Sequence, residues 1–258
     1  MLELKNITVD FSLKNSPLGA EKQSLRAVDN VCLKINDDEV LGLVGESGCG
    51  KTTLGKTAVR LLKPTSGQII LDGDDISNLG FGALKKYRRK MQIIFQDPIS
   101  SLNPRQTIFD VLEEPLKIHT KLNFAQREAE IKRLIDCTGI AQNALKRYPH
   151  QFSGGQCQRI AIARALSVKP KLIVADEPVS SLDVSIQAQI INLMLELKKE
   201  FGLSYLFVSH DLAVINHVAD RVAVMFKGKI VEEGECGEIV NNPQNEYTKT
   251  LLDAVPRL

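Results

Sequence analysis

Long apolar runs are missing from this sequence. It contains no stretch of about 18 consecutive apolar residues, and apolar and polar residues alternate from Leu2 to Val9, which is not a signal-peptide pattern. Neither a membrane-spanning helix nor export is therefore predicted. We expect the protein to stay in the cytoplasm.

A strong excess of one charge is also missing. The sequence has 33 Lys and Arg against 31 Asp and Glu, a net charge of +2 at pH 7, which argues against nucleic acid as the main partner. Its 258 residues are 43% hydrophobic and 25% charged. This composition indicates a soluble globular protein, either one large domain or one domain that carries an insertion.

Cysteine is scarce. The five cysteines form no C-x-x-C pair, and their odd number favours reduced thiols over disulfides or a zinc site. We expect most of them to be buried filler: Cys32, Cys49, Cys137, Cys157 and Cys236.

Residues 45–52, by contrast, fit the phosphate-loop pattern G-x-x-x-x-G-K-[ST] at every fixed position. The glycines at 45, 48 and 50 allow backbone N–H groups to point at phosphate oxygens, Lys51 adds a positive charge, and Thr52 offers a hydroxyl to Mg²⁺. A buried strand over 40–44 and a helix from about Gly50 are predicted on either side. This context favours a site for ATP or GTP over an ordinary glycine-rich turn.

Alternation predicts strands over residues 2–11 and 27–35, with a polar loop over 14–26 between them. Phe11, at a strand end, can either stack on a nucleotide base or belong to the core. A turn is predicted over 64–67, a strand over 68–71, and a hairpin turn at Asp72-Gly73. The basic run over 85–90 on the next helix is better explained as a solvated face than as a nucleic-acid patch.

Polar residues stand at or just after the ends of three further predicted strands, over 91–95, 172–176 and 205–208. They are Gln96, the pair Asp176 and Glu177, and His210. Because ligands bind at the carboxyl edge of a parallel sheet, Gln96 can reach a metal or water there, and Asp176 is predicted to hold Mg²⁺. Glu177 is placed to take a proton from an attacking water, although it could instead merely cap the strand end. His210 is predicted to contact the terminal phosphate.

The pattern between residues 104 and 166 is helical and looks like an insertion. At its end Ser153, followed by Gly154, Gly155 and Gln156, opens a helix. A serine N-cap with glycines behind it leaves backbone N–H groups aimed outward, which forms a second anion site. For the pentapeptide in isolation, however, a capped helix that binds nothing is the better interpretation. Ser181 to Asp183 is predicted to form a turn before the next helix.

Taken in this order, the motifs closely resemble the nucleotide-binding subunit of an ATP-binding cassette transporter, over nearly the whole chain. In that family the phosphate loop is the Walker A motif, Gln96 the Q-loop, residues 152–156 the signature, residues 172–177 the Walker B motif with the catalytic base, residues 181–183 the D-loop, and His210 the switch histidine. Phe152 departs from the usual leucine. Phe11 matches the family's adenine-stacking aromatic, which favours the functional interpretation of that residue.

The resemblance implies the site residues. Glu177, His210 and Gln96 are predicted to be catalytic, and Thr52, Gln96 and Asp176 to bind Mg²⁺. ATP is predicted to contact Phe11, Gly45, Glu46, Ser47, Gly48, Cys49, Gly50, Lys51, Thr52, Thr53, Ser153, Gly154, Gly155, Gln156 and Asp183.

The implied fold is α/β: a P-loop NTPase core with an N-terminal antiparallel β subdomain and an inserted α-helical subdomain. It forms one nucleotide-binding domain over 1–258, with the core and β subdomain over 1–96 and 167–258 and the helical signature subdomain over about 97–166. In this family two half-sites meet only when two such subunits pair head to tail around two ATP molecules.

Segments 148–159, 96–105 and 242–256 resemble the branch that imports oligopeptides, dipeptides or nickel. Asn245-Glu246 stands where that tail usually reads His-Pro, and the cysteine-bearing extension of many peptide importers is not present before Leu258. The branch implies a heterodimer with a similar ATPase at the cytoplasmic face of the membrane, two transmembrane permease subunits and an extracytoplasmic substrate-binding protein. It does not separate peptide from nickel or a metal chelate.

Two other classes share these motifs. A cassette that acts on DNA or the ribosome usually carries a long coiled-coil insertion, a fused second cassette or an extended basic surface, and the segment between Gln96 and Ser153 has no heptad array. An export subunit normally has fused membrane spans or different tails. We therefore predict an import ATPase.

Overall fold

A computed structural model describes residues 1–12 and 24–253 of the chain. Most of the loop predicted over 14–26, and the last residues of the importer-like tail, lie outside the described residues. The chain divides into two compact units, residues 1–80 with 205–258 and residues 81–204. The subdomain boundaries predicted from the sequence are a different division and stay a prediction.

The described strands, in chain order, are β1 (Leu2–Ser12), β2 (Ser24–Ile35), β3 (Val40–Val44), β4 (Ser66–Leu71), β5 (Asp74–Asp75), β6 (Met91–Ile94), β7 (Leu172–Asp176), β8 (Ser204–Ser209), β9 (Arg221–Phe226) and β10 (Lys229–Glu235). The described helices are α1 (Lys51–Ala58), α2 (Phe81–Arg88), α3 (Ile108–His119), α4 (Phe124–Cys137), α5 (Gly154–Leu166), α6 (Val184–Phe201), α7 (Leu212–Val218), α8 (Cys236–Asn241) and α9 (Glu246–Asp253). Two short 3₁₀ turns, Gln142–Lys146 and Pro149–Gln151, precede α5.

The unit formed by residues 1–80 and 205–258 contains an antiparallel sheet in the order β2-β1-β4-β5. It also contains the strand series β10-β9-β3-β8, in which β3 lies between two parallel neighbours, β9 and β8. All five residues of β3 are buried. A strand covered on both faces and paired on both edges must be continuously apolar, as this one is apart from Gly42.

The unit formed by residues 81–204 contains β6 and β7, which pair in parallel, and helices α2 to α6. Helices α3, α4 and α5 each begin with a capping box, in which a side chain at the N-cap and one three residues later bond to each other's backbone N–H. These caps satisfy N–H groups that have no partner within the helix. The α/β fold class predicted from the sequence is confirmed, with antiparallel β1, β2, β4 and β5 and helices over much of 104–166.

Several boundaries differ from the predictions. The turn predicted over 64–67 was wrong in its second half, because β4 begins at Ser66, which pairs with Thr8 of β1. The pairing of β1 with β4 shifts register between Lys5 and Thr8, and Gly67 has a φ of 94°. Because irregular strands and turns both use glycine at positive φ, the start of this strand was predicted as a turn. The basic run over 85–90 extends two residues past α2, which ends at Arg88. The strand before Gln96 ends at Ile94 rather than Phe95.

A buried carboxylate joins α3 to α4. Glu113 is 3% exposed and binds Lys117 at 2.6 Å and Arg127 at 2.9 Å. Burial acts to raise the pKa of Glu113, but the hydrogen bonds from Lys117 and Arg127 outweigh it and lower the pKa. The stability that this carboxylate contributes is therefore present above its unfolded pKa and is lost as pH falls through the lowered folded value.

We predict that Arg127→Met destabilises the protein by about 3 kcal/mol, because it leaves the Glu113 charge buried with one partner fewer. The matched control is Lys132→Met on the same helix, which breaks the exposed pair with Glu128 at 2.8 Å. That change should cost less than about 0.5 kcal/mol. Urea unfolding of both variants measures the difference, and equal losses would contradict the buried-charge argument.

Candidate functional site

The phosphate loop connects β3 to α1. Gly50 is the N-cap of α1 with a φ of 112°, and Gly45 has a φ of 152°. A Cβ at Gly45 would lie 2.1 Å from the carbonyl oxygen of Met225, and one at Gly50 would lie 2.2 Å from that of Ala27. Backbone therefore closes against the loop at both glycines, and no side chain fits there.

Lys51 points back into this loop. Its side chain is 4% exposed, and its Nζ donates to the carbonyl oxygens of Gly45 at 2.6 Å and Glu46 at 2.9 Å. A buried ammonium requires such partners. The same ammonium can exchange these neutral acceptors for charged phosphate oxygens, which form stronger hydrogen bonds.

Cys49 is the loop side chain that contacts Lys51. Cys49 is 8% exposed, its Sγ lies 3.9 Å from the Lys51 Nζ, and burial raises the pKa of its thiol. Thr52 and Thr53 lie in the first turn of α1 and are half-buried. The cysteines at 49, 157 and 236 are buried, whereas Cys32 is exposed and Cys137 intermediate; all five are free thiols.

His210 and Phe11 belong to the same unit as the phosphate loop. In the parallel pair of β3 and β8, Val44 lies opposite Ser209. Gly45 and His210 follow these two residues, so they leave the strands at the same edge, as predicted. Phe11 lies near the end of β1 and is 40% exposed, which excludes the core alternative for its ring.

Gln96 and Glu177 meet in the other unit. In the parallel pair of β6 and β7, Ile94 lies opposite Ala175. Gln96 and Glu177 each come two residues after these partners, so both leave the strands at the same edge. The Gln96 Nε2 donates to the Glu177 Oε2 at 3.0 Å. This hydrogen bond restrains the carboxylate that is predicted to act as the proton acceptor.

Asp176 and Glu177 lie in contrasting surroundings. Asp176 is the last residue of β7 and is 4% exposed. Glu177 has a φ of 48°, a left-handed conformation that costs a non-glycine residue about 1 kcal/mol or more. Such strain is characteristic of functional positions, and here it turns the chain at the residue predicted to be the base.

The Ser153 segment is an exposed helix start. Ser153 is the N-cap of α5, its Oγ accepts from the Gln156 N–H at 3.4 Å, and its own N–H donates to the Gln156 side chain at 3.1 Å. A Cβ at Gly155 would lie 2.6 Å from Ile186 of α6, so this glycine permits close packing. Asp183 is exposed at the N-cap position of α6 and makes no side-chain cap.

Two contacts were missed by reasoning from the sequence. The Glu46 N–H donates to the hydroxyl of Tyr247 at 3.0 Å, so this predicted ATP contact already has a protein partner for its amide. Gln158, fully buried, donates from its Nε2 to the carbonyl oxygen of Pro178 at 2.6 Å and ties α5 to the segment after Glu177. Glu46 lies within the phosphate loop and Gln158 follows the signature residues 152–156. No spacing rule in the sequence pairs either residue with its distant partner.

Comparison with known proteins shows the family of this chain. A family model described as ABC transporter matches residues 28–180. The chain belongs to the ABC transporter family. The family predicted from the motifs is thereby confirmed, and as a cassette of this family the chain binds and hydrolyses ATP.

Several relatives match almost the whole chain. The oligopeptide transport ATP-binding protein AppF of Bacillus subtilis is 49% identical over 257 residues, which are 99% of this chain and 78% of that protein. The oligopeptide transport ATP-binding protein OppF of Escherichia coli is 45% identical over 259 residues, with the same two shares of 99% and 78%. These similarities support the prediction of a transporter subunit. They give no support to the alternative, a cassette that acts on DNA or the ribosome.

The fold is similar to solved cassettes. A dimeric structure of the ATP-binding cassette MJ0796 in a post-hydrolysis state, bound to ADP and Pi, has a TM-score of 0.82 and 30% sequence identity, and the match covers 92% of this chain and 99% of that one. Over residues 1–12 and 24–253, no helix is both long and apolar enough to cross a membrane.

Metal binding would use few protein ligands. Within the described part of the chain, no group of three or more His, Cys, Asp or Glu side chains gathers into a metal site. The donors predicted for Mg²⁺ are a hydroxyl, an amide oxygen and a buried carboxylate. This set suits Mg²⁺, which accepts few oxygen ligands from protein and takes others from water and phosphate.

We predict that Gly50→Ala destabilises the protein by about 2 kcal/mol more than Gly48→Ala. Both positions have positive φ, 112° and 81°, so alanine is strained at either. Only at Gly50 does the new Cβ also meet backbone, since nothing lies within 4 Å of one at Gly48. Urea unfolding of the two variants tests this, and an equal or larger loss for Gly48→Ala would refute the described closure of the loop.

Proposed function

We propose that this chain hydrolyses ATP to drive the import of oligopeptides, as a peripheral subunit at the cytoplasmic face of the membrane. The observation that carries the proposal is 45–49% identity, over 99% of the chain, to oligopeptide transport ATP-binding proteins. A glutathione import ATP-binding protein of Shigella dysenteriae, GsiA, is 48% identical over 256 residues, although these are 41% of that protein. Glutathione is itself a short peptide, and both names favour peptides over nickel.

The phosphate loop is assigned the β- and γ-phosphates of ATP. Lys51 would leave the carbonyl oxygens of Gly45 and Glu46 for phosphate oxygens, and the N–H groups at the start of α1 would add hydrogen bonds. Phe11, exposed at its strand end, would stack on the adenine. Thr52, Asp176 and Gln96 remain the predicted ligands of Mg²⁺, which when bound neutralises charge on the phosphates.

Glu177 is assigned as the base for the attacking water. Its carboxylate is held by Gln96 at 3.0 Å, so it can accept a proton without reorienting. His210, at the carboxyl edge shared with the phosphate loop, would contact the terminal phosphate. In this assignment Glu177 accepts the proton of the attacking water. Lys51 and His210 stabilise the negative charge on the phosphates.

The exposed Ser153 segment would complete a site on a partner. Gly154 and Gly155 present N–H groups at the start of a 13-residue helix, where an anion is stabilised. We assign this segment to the ATP held by a second cassette, arranged head to tail, with Asp183 near the same interface. The partner would be a similar ATPase, and both ATPases would lie beneath two permease subunits. An extracytoplasmic binding protein would deliver the substrate to these permease subunits.

We predict that Glu177→Gln leaves ATP binding intact and lowers turnover at least about a hundredfold, because the amide keeps the shape but cannot accept a proton. ATP-dependent dimers should accumulate.

Lys51→Ala should instead weaken ATP binding itself. Turnover and ATP titration on one preparation of each variant separate the two roles: normal hydrolysis in Glu177→Gln would remove Glu177 from catalysis, and unchanged affinity in Lys51→Ala would count against the phosphate-loop assignment.

We predict that Ser153→Arg leaves this chain's own ATP affinity unchanged but abolishes ATPase activity of the assembled transporter, since the added bulk would enter the space assigned to the partner's phosphate. Ser153→Ala is the matched control, because it removes the helix cap without adding bulk. Because Ser153 is itself a predicted ATP contact, this variant should lose some activity, but less than Ser153→Arg. If Ser153→Arg keeps its activity in the assembled transporter, the head-to-tail sandwich is wrong for this protein.

A further inference from the structure

The start of helix α9 contacts the phosphate loop from outside. Tyr247, the second residue of this helix, accepts a hydrogen bond on its hydroxyl from the Glu46 N–H at 3.0 Å. Its ring packs on Phe226, the last residue of β9, with ring centres 4.2 Å apart. The ring contact fixes where the hydroxyl lies.

The hydrogen-bonded N–H belongs to a particular peptide. The peptide bond between Gly45 and Glu46 carries the Gly45 carbonyl oxygen, which accepts from the Lys51 Nζ at 2.6 Å, and the Glu46 N–H, which donates to Tyr247. In a trans peptide these two groups lie in one plane and point in opposite directions. Lys51 and Tyr247 therefore hold the same peptide from its two sides.

Helix α9 is itself held by a carboxylate on β10. Glu232 accepts from the backbone N–H of Gln244 at 2.7 Å and of Asn245 at 3.1 Å. Burial acts to raise the pKa of Glu232, but the hydrogen bonds that it accepts outweigh it and lower the pKa. The Asn245 side chain then accepts from the Tyr247 N–H at 2.9 Å. An unbroken series of contacts thus runs from β10 to the phosphate loop.

We infer that Tyr247 is a positioning residue for ATP binding: its hydroxyl holds the Gly45–Glu46 peptide in the orientation that keeps the phosphate loop folded around Lys51. The inference rests on the proposed role of the loop. A loop that is already ordered loses less conformational entropy when ATP binds, so the affinity is higher. Without the hydroxyl, the Glu46 N–H loses this contact, and ATP binding must order more of the peptide.

The test is Tyr247→Phe, which keeps the ring and its contact with Phe226 and removes only the acceptor. The dissociation constant for ATP should rise roughly threefold to tenfold, the effect of one hydrogen bond. Turnover of the assembled transporter at saturating ATP should stay within about twofold, because the hydroxyl acts on binding and not on the transition state. Without nucleotide, maleimide should modify Cys49, which is 8% exposed in the folded loop, several-fold faster.

The matched control is Thr250→Val on the same helix, since the Thr250 hydroxyl bonds to the carbonyl oxygen of Glu246 within α9. It should change neither ATP affinity nor Cys49 modification. Parent-like values of both quantities in Tyr247→Phe overturn the inference, as does a loss of turnover with unchanged affinity. If Tyr247→Phe does not fold, Glu232→Gln should show the same changes in smaller degree, and unchanged values there overturn it equally.

Lys51→Ala separates this inference from the proposed function. If Lys51→Ala loses ATP affinity and Tyr247→Phe does not, the phosphate-loop assignment stands and the role of Tyr247 is wrong. If Lys51→Ala keeps its affinity, the assignment of the loop fails, whatever the result for Tyr247→Phe.

Discussion

The inward-facing ammonium of Lys51 is the interaction on which the phosphate loop depends. A charge that is 4% exposed needs polar partners, and the loop supplies them from its own carbonyl groups, Gly45 at 2.6 Å and Glu46 at 2.9 Å. These carbonyls converge because the chain turns through positive φ at Gly45 and Gly50 against other backbone. The position of the loop follows from β3, a buried strand between two parallel neighbours, which delivers it to the edge where ligands bind.

The register between β6 and β7 positions Glu177, the candidate base. Because β6 and β7 pair in parallel with Ile94 opposite Ala175, the next residues of both strands advance together and bring Gln96 to Glu177. The left-handed φ of 48° at Glu177 is tolerated because the strand before it is fully buried and fixes the chain. The backbone conformation sets where the Glu177 side chain leaves the main chain, and the hydrogen bond from Gln96 restrains its carboxylate.

Local patterns predicted much of this arrangement. The bounds of β3 and β7 followed from continuous apolar runs that end in a glycine-rich loop or in two acids, and the N-cap of α5 followed from the serine before two glycines. The irregular start of β4 was mistaken for a turn because the residues that allow a bulge also form turns. The hydrogen bond from Glu46 to Tyr247 spans 201 positions, and no local pattern encodes which distant side chain fills such a place.

This long-range contact changes what counts as the nucleotide site. In the proposed function, phosphate oxygens replace the two carbonyl groups that accept from Lys51, and the gain in free energy is the difference between charged and neutral acceptors. If the loop also had to fold at that moment, ordering its backbone would consume part of the gain. Contacts that hold the loop from outside remove that loss: the Gly228 N–H donates to the Cys49 carbonyl oxygen at 2.9 Å, and Tyr247 accepts from Glu46. The turn after β9 and helix α9 are therefore part of the proposed nucleotide site, because they hold the glycine-rich loop in place.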